Sequence, residues 1–451
     1  MAATAGATRT VAEFVVGTSL SDVPGAAVAG AKLCLLDTLG VALAALQVPQ
    51  GQALVDYVRG QGGTPVSSVI GGGFKTSAPQ AALANGCLAN LLDFDGFWHV
   101  PTCSVPAALA VAEAQGAGGR ATLEALVIGT EVGAAFRHIF EGKRGEQGGP
   151  TYQGWYHLSF HGPLAAAATS SRLLGLDVAQ TEAALSITMT GAGGVRRHLH
   201  TEAKSLLSGN AAANGVQAAL LAAAGVTATD TLEGFGGLFH AIGLPDPADW
   251  TPVTRDLGHR YSLAGFNASK GFPAHGGVQA ALGTLRALLA LLAEHGLHAG
   301  AVRQLDAEVS TFAASADLPA TAFTGGFSWP YLLGVCLAAG SFDAAHLAEA
   351  AMDNPALRAD IAKVRVLPIA EGAQPERLTL HLHDGRALSA EVRRDAGRAT
   401  GPAGLVAKYR ANAATALPLA SVETLCDLVM GLEEVAAVSA VTDVLRGAAV
   451  G

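Results

Sequence analysis

Up to about Leu244 the chain is written in Ala/Leu-rich apolar runs of helix length, at residues 31–46, 79–92, 106–115, 123–139, 163–174, 178–190 and 210–224. Gly, Pro, Asp and Thr punctuate them, and Asp177 and the Thr229-Asp230 pair supply signals for helix starts. Small residues occupy both faces of these runs, which lets helices approach closely. The pattern changes after about Gly265. A half-alternating run covers 305–312, a short strand 364–369, and two strands, 377–383 and 386–392, flank Asp384-Gly385, a two-residue hairpin signal. Helical runs at 277–295 and 342–351 lie among them, Gly401-Pro-Ala-Gly404 closes the segment, and 417–449 returns to a helical pattern. The expected architecture is mainly α: a large all-helical domain built from both chain ends, 1–264 and 401–451, plus a smaller α+β lid domain at 265–400. The sequence has no internal repeat, low-complexity tract or long linker.

Composition narrows the function. Half of the 451 residues are hydrophobic and only 14% charged, with 56 Gly and 19 Pro, which excludes a disordered chain. So little charge leaves a surface poorly covered by polar groups, and part of it is expected to be buried in a homodimer. The net charge of −9 provides no basic field, so nucleic acid and membrane are not expected partners. A small anionic substrate would be held by a few local cations. Five scattered cysteines without a CxxC pair exclude a recognisable iron–sulfur or zinc–thiolate site and read as reduced core thiols. Residues 1–13 lack the pattern of an export signal, and the expected location is cytoplasmic. The charge-free stretch 205–229 is long enough to span a bilayer, but Asn210, Asn214 and Gln217 interrupt it and the rest is mostly Ala and Gly. A buried helix fits it better.

Because cations are scarce, they direct the search for chemistry. Lys204 opens the charge-free helix, where backbone N–H groups also favour an anion, and Lys270 begins Lys-Gly-Phe-Pro-Ala-His275 at the domain junction. Histidines cluster at His99, at His157 and His161, at His198 and His200, and at His275. The spacing of His157 and His161 suits a metal on a helix, yet no HExxH is present and residues 158–163 read as the turn before a helix. No metal site is expected. Asp93 and Asp95 either orient a histidine or cap a helix.

Seven segments in order then resemble one family. They are Leu35-Leu-Asp-Thr-Leu-Gly-Val-Ala-Leu-Ala; Ala81-Ala-Leu-Ala-Asn-Gly with Leu92-Asp-Phe-Asp; Val105-Pro-Ala-Ala-Leu-Ala-Val-Ala-Glu-Ala; Trp155-Tyr-His with Leu173-Leu-Gly-Leu-Asp; Gly194-Val-Arg, Lys204 and Gly209-Asn-Ala-Ala; Lys270 to His275; and Phe327-Ser-Trp-Pro-Tyr331. The chain resembles the MmgE/PrpD family, whose members include 2-methylcitrate dehydratase, cis-aconitate decarboxylase and iminodisuccinate epimerase. The resemblance implies a homodimer with no metal or organic cofactor and a site between the domains, formed by Asp93, His99, His157, Lys204, Lys270, His275 and Tyr331.

In that setting Lys204 and Lys270, with Arg196, would bind carboxylates and hold the charge that develops when a proton alpha to one is removed. His157 and His275 lead as proton carriers, and Tyr331 would bind a carboxylate or assist a leaving hydroxyl. The expected activity is a carbon–oxygen lyase dehydrating a hydroxy-polycarboxylate related to 2-methylcitrate or citrate. Decarboxylation of the cis-aconitate type, or racemisation or epimerisation of a dicarboxylate, would use the same pocket; a non-catalytic binding protein is the remaining class. Departures from the family pattern lie at Asp93-Phe-Asp-Gly-Phe-Trp-His-Val-Pro101, where Gly96 and Phe97 replace polar residues, at Leu207, and in the added His198 and His200. They point to a substrate less like a tricarboxylate.

Overall fold

The computed structural model describes residues 6–141, 154–243, 250–321, 323–371 and 373–448. Among these, nine helices build the first part: α1 Ala7–Gly17, α2 Gly25–Ala44, α3 Pro49–Gln61, α4 Ala78–Leu91, α5 Pro101–Gln115, α6 Gly119–Glu141, α7 Leu158–Leu174, α8 Val178–Thr188 and α9 Lys204–Ala223. A two-stranded ribbon, β1 Ser67–Ser68 with β2 Lys75–Thr76, precedes α4, and two single-turn helices, α10 Leu238–Ala241 and α11 Thr251–Thr254, follow α9. Pro sits in the first turn of α3, α4 and α5, where its missing N–H costs no hydrogen bond. Asp177 caps α8, its side chain accepting from the Gln180 amide at 2.8 Å.

The small residues do allow close approach. A Cβ on Gly209 of α9 would lie 2.2 Å from Cys87 Sγ and 2.5 Å from the Leu83 carbonyl of α4. One on Gly215 would meet the Ala167 amide of α7 at 2.6 Å. The helix α9 is therefore wedged between α4 and α7, the stretch whose length had suggested a membrane span. Two other helical stretches, Gly25–Gln47 and Gly276–Glu294, are long and apolar enough to cross one; most of the first is buried in the core.

The α+β region begins at β3 Ala268–Lys270. It continues through α12 Gln279–Glu294, β4 Val302–Ser310, α13 Trp329–Ala339, α14 Glu349–Met352, α15 Pro355–Ile361, β5 Val364–Ile369, β6 Arg377–Leu382, β7 Ala387–Glu391 and β8 Arg398–Thr400. Strands β5-β4-β6-β7 form one sheet, with β4 and β5 parallel and the other pairs antiparallel. The β6–β7 connection takes four residues rather than two, with Gly385 at φ 88°. Strands β3 and β8 pair antiparallel, so the chain enters and leaves this region side by side. Helices α16 Gly401–Ala413, α17 Leu419–Met430 and α18 Ser439–Arg446 return to the first layer, α16 packing on α2. The main apolar core runs unbroken from α2 and α4 to Leu305, Leu332 and Leu378 of the α+β region.

Several local expectations need correction. The 342–351 run holds a 3₁₀ turn at 344–347, capped by Asp343, and the short α14; the helix there is α13, capped by Ser328. Gly401-Pro-Ala-Gly404 opens α16 instead of merely ending a domain, because proline suits a first helical turn. The 417–449 run breaks after Met430, and residue 449 lies outside the described residues. Residues 158–163 are helix, with Pro163 inside it. Asp230 starts no helix; its carboxylate accepts from Thr8 Oγ1 at 2.8 Å and ties the segment to α1.

Candidate active site

The chemistry gathers on the short loop joining α4 to α5. Asp93, Phe97, Trp98 and His99 have φ of 47°, 46°, 58° and 69°, and they are the non-glycine residues with positive φ among those described. Each such conformation costs about 1–2 kcal/mol, so surrounding bonds must enforce it.

Asp93 is buried at the centre. Its Oδ1 accepts from Lys204 Nζ at 2.8 Å and Lys270 Nζ at 2.6 Å, and Lys270 also donates to the Asp93 carbonyl at 2.6 Å. Lys204 comes from the first turn of α9 and Lys270 from the end of β3, so the carboxylate joins the helical part to the α+β region. Burial opposes the charge on Asp93. The ammonium groups of Lys204 and Lys270, with His99 and His275, outweigh that and hold its carboxyl well below the usual range. Asp93 Oδ2 is buried and has no hydrogen-bond partner among the described residues.

His99 presents its Nε2 3.6 Å from Asp93 Oδ1. On its other side Nδ1 lies 2.6 Å from Asp95 Oδ2 and 3.0 Å from Asn90 Nδ2; the carboxylate, the stronger partner, favours the proton on Nδ1 and an unprotonated Nε2 in the neutral ring. Burial lowers the His99 pKa, Asp95 working against it. Asn90, in the last turn of α4, donates to Asp95 Oδ1 at 3.2 Å and accepts from Lys204 at 3.4 Å. Of the two readings of Asp93 and Asp95, Asp95 takes the orienting one.

His275 sits across the cluster, close enough to Asp93, Lys270, Lys204 and His200 to interact electrostatically. Its Nδ1 accepts the Gly277 amide proton at 3.1 Å, so its neutral ring carries hydrogen on Nε2. Burial pushes its pKa down to about 4. The two imidazoles are thus opposite tautomers: one offers a lone pair, the other a proton. Beside them Leu91, Leu92, Pro273, Ala274, Phe323 and Phe327 line a small apolar cavity of about 10 Å³.

The remaining expected residues are placed differently. His157, at the start of α7, is buried with its Nδ1 3.0 Å from His161 Nε2. Burial, then His157, Arg137 and His99, hold His161 well below its ordinary pKa. Tyr331 is fully buried on α13 and donates its hydroxyl to the His346 carbonyl at 2.5 Å. Arg196 lies over the Phe312 ring at 5.2 Å. Nearby, His200 packs on Phe327 at 4.9 Å, and its pKa is lowered by burial while Asp93 opposes. Both side chains therefore reach from the loop before α9 onto aromatic residues of the α+β region.

Asn90 and two residues that hold the loop escaped the sequence reading. Lys408, on α16, donates to the Phe94 carbonyl at 2.7 Å, and Asp37, on α2, accepts the Gly96 amide at 3.0 Å. The signal for Asp37 was a lone carboxylate inside an apolar helix; Lys408 offered none. Asp93, Asp95 and His99 have ligand atoms within 4.8 Å of one another, a spacing that suits a metal ion. Two lysine ammonium groups on the same Asp93 oxygen oppose a cation there, so this donor set does not fit one.

The fold is mainly helical, and within it two lysines converge on one buried carboxylate with two imidazoles beside it. The chain belongs to the MmgE/PrpD family: residues 9–251, more than half of it, match the family's N-terminal domain. It is 31% identical over 215 residues to the cis-aconitate decarboxylase-like protein oryM of Aspergillus oryzae, covering 45% of this chain and 44% of that protein. Cis-aconitate decarboxylase of Mus musculus is 26% identical over 59% of this chain and 56% of its own length. The Homo sapiens enzyme of that name is 25% identical, with 98% of this chain and 94% of the relative aligned. The chain thus spans about half the length of the first two and nearly all of the third.

Proposed function

We propose that the protein is a cofactor-independent lyase that releases carbon dioxide or water from a small polycarboxylate through a carbanion-like state. The observation that carries this reading is the convergence of Lys204 and Lys270 on one buried point, with His99 Nε2 beside it. Charge developing next to a carboxylate spreads onto its oxygens, and two fixed ammonium groups in a buried site stabilise it far more than water does. A bound polyanion also raises the pKa of His99 and His275, so one of them can hold the proton that the carbon finally receives.

Decarboxylation is the reading we favour. The carbon–carbon bond breaks, its electron pair is delocalised toward a lysine-bound carboxylate, and an imidazolium returns a proton to carbon. The apolar neighbours of the cluster, Leu92 before Asp93 and Ala274 before His275, support it, since a carboxylate set against them loses hydration that neutral carbon dioxide does not need. The names of the relatives point the same way. Dehydration is the second reading, supported by the Nε2–H of His275 as donor to a leaving hydroxyl. In both, the protein works as a homodimer, for which the exposed Leu206, Leu220 and Leu221 of α9 and Val226 just beyond it offer an apolar face.

Incubation with a panel of di- and tricarboxylates in deuterated water tests the proposal. Release of carbon dioxide with deuterium in the product supports the first reading and release of water the second. Deuterium exchange without a new product marks an epimerase. No turnover and no exchange with any of them would leave a binding protein.

A further inference from the structure

The loop 93–99 is held from beneath by a buried polar knot that touches neither Asp93 Oδ1 nor His99. Lys408 Nζ donates to the Phe94 carbonyl at 2.7 Å and to Ser269 Oγ at 2.8 Å, and pairs with Asp37 Oδ1 at 2.7 Å. The ammonium thus makes two hydrogen bonds and one close ion pair. Asp37 Oδ2 in turn accepts from the Gly96 amide at 3.0 Å and Ser269 Oγ at 2.7 Å. The Lys408 ammonium also lies 4.1 Å from the centre of the Phe94 ring. Both Lys408 and Asp37 are buried.

The position of the knot in the fold matters. Phe94 and Gly96 bracket Asp95 and lie between the left-handed Asp93 and Phe97. Ser269 precedes Lys270 on β3, and β3 pairs with β8, which leads directly into α16 and Lys408. One ammonium therefore joins three pieces: the strained loop that carries Asp93 and His99, the strand that carries Lys270, and the helix by which the chain leaves the α+β region.

We propose that Lys408, with Asp37 as its counter-charge, is a positioning residue that sets the loop 93–99 and β3 in the mutual register that brings Asp93, His99 and Lys270 to one point. The proposal rests on the reading of that cluster as the catalytic centre. A misplacement of about 1 Å at such a centre lowers turnover about 100-fold while leaving the fold intact.

The test is the double variant Asp37→Asn/Lys408→Met, which removes both charges together and so strands neither in the interior. The expected result is a folded protein, by circular dichroism and thermal melting, in which kcat falls about 100-fold and KM changes less than about threefold. Amide hydrogen exchange is expected to rise at Gly96 and its neighbours while α2 and α16 keep their protection. Unchanged exchange at Gly96, or faster exchange with unchanged turnover, overturns the proposal. Should the double variant fail to fold, Ser269→Ala removes one bond and no charge. It is then expected to raise Gly96 exchange and lower kcat about tenfold, and no change in either sinks the idea. The exchange measurement needs no substrate, so it reports on the knot even if the proposed reaction is wrong; a wild-type protein inert toward every polycarboxylate would count against the function alone.

Discussion

Asp95 and His99 lie four residues apart on one strained loop, with the Asp95 carboxylate 2.6 Å from His99 Nδ1. The contact favours the tautomer whose unprotonated Nε2 lies 3.6 Å from Asp93 Oδ1. Without it, rotation or the other tautomer would place an N–H toward Asp93 and leave no base beside the point where Lys204 and Lys270 meet.

Replacing Asp95 by Asn keeps the shape of the pair but removes the charge that selects the tautomer. Turnover is expected to fall at least about 100-fold, with KM little altered, because the loss concerns proton transfer and not anion binding. Steady-state kinetics, together with the nitrogen chemical shifts of His99, would check both parts. An Asp95→Asn variant with wild-type kcat would remove His99 from the role of proton carrier.

Lys204→Met leaves Asp93 with one ammonium neighbour in place of two. The buried carboxylate is then undercompensated, and stability is expected to drop by roughly 3 kcal/mol. Loss of one fixed donor to a developing anion should also lower kcat/KM by about 100- to 1,000-fold. Denaturant melts and substrate kinetics measure the two effects separately. A stable variant with near-normal activity would contradict the central place given to the Asp93–Lys204 pair.

The helical architecture and the hairpin were legible because long Ala/Leu runs and the Asp384-Gly385 turn carry local, periodic information. Lys204 and Lys270 stood out because cations are scarce in this chain and these two sit in apolar or Gly-rich surroundings, and His275 because it follows Lys270 by five residues. What was not legible depends on distance in space. Nothing near Lys408 in sequence marks it, since its acceptors come from Phe94 and Ser269, in other elements. Tyr331 and Arg196 show the converse: a motif position does not say where a side chain's bonds go, and these two are engaged with His346 and Phe312.

Arg196 now has a specific expectation of its own. Its guanidinium packs on Phe312 of the α+β region and makes no described bond to Asp93. Arg196→Ala is expected to change kcat/KM less than about fivefold, the scale of one exposed cation–π contact. Lys270→Ala, in the same assay, should lose at least about 100-fold. Equal losses in the two variants would restore Arg196 to the group that grips the substrate.

The pH dependence of stability follows from His275. Its pKa is pushed down to about 4 in the folded protein, from an ordinary value of 6.5, chiefly by burial and against the pull of Asp93. Between those values the unfolded chain binds a proton at this position and the folded chain does not. Stability from this group is therefore complete above pH 6.5 and is lost as the pH falls toward 4. Asp93 and Asp95, both held below their usual range, add losses of the same sign at still lower pH. A His275→Gln variant should show a shallower decline in melting temperature between pH 6.5 and 4 than the wild type. Identical slopes would mean that His275 is not shielded from solvent beside the two lysines as the structure places it.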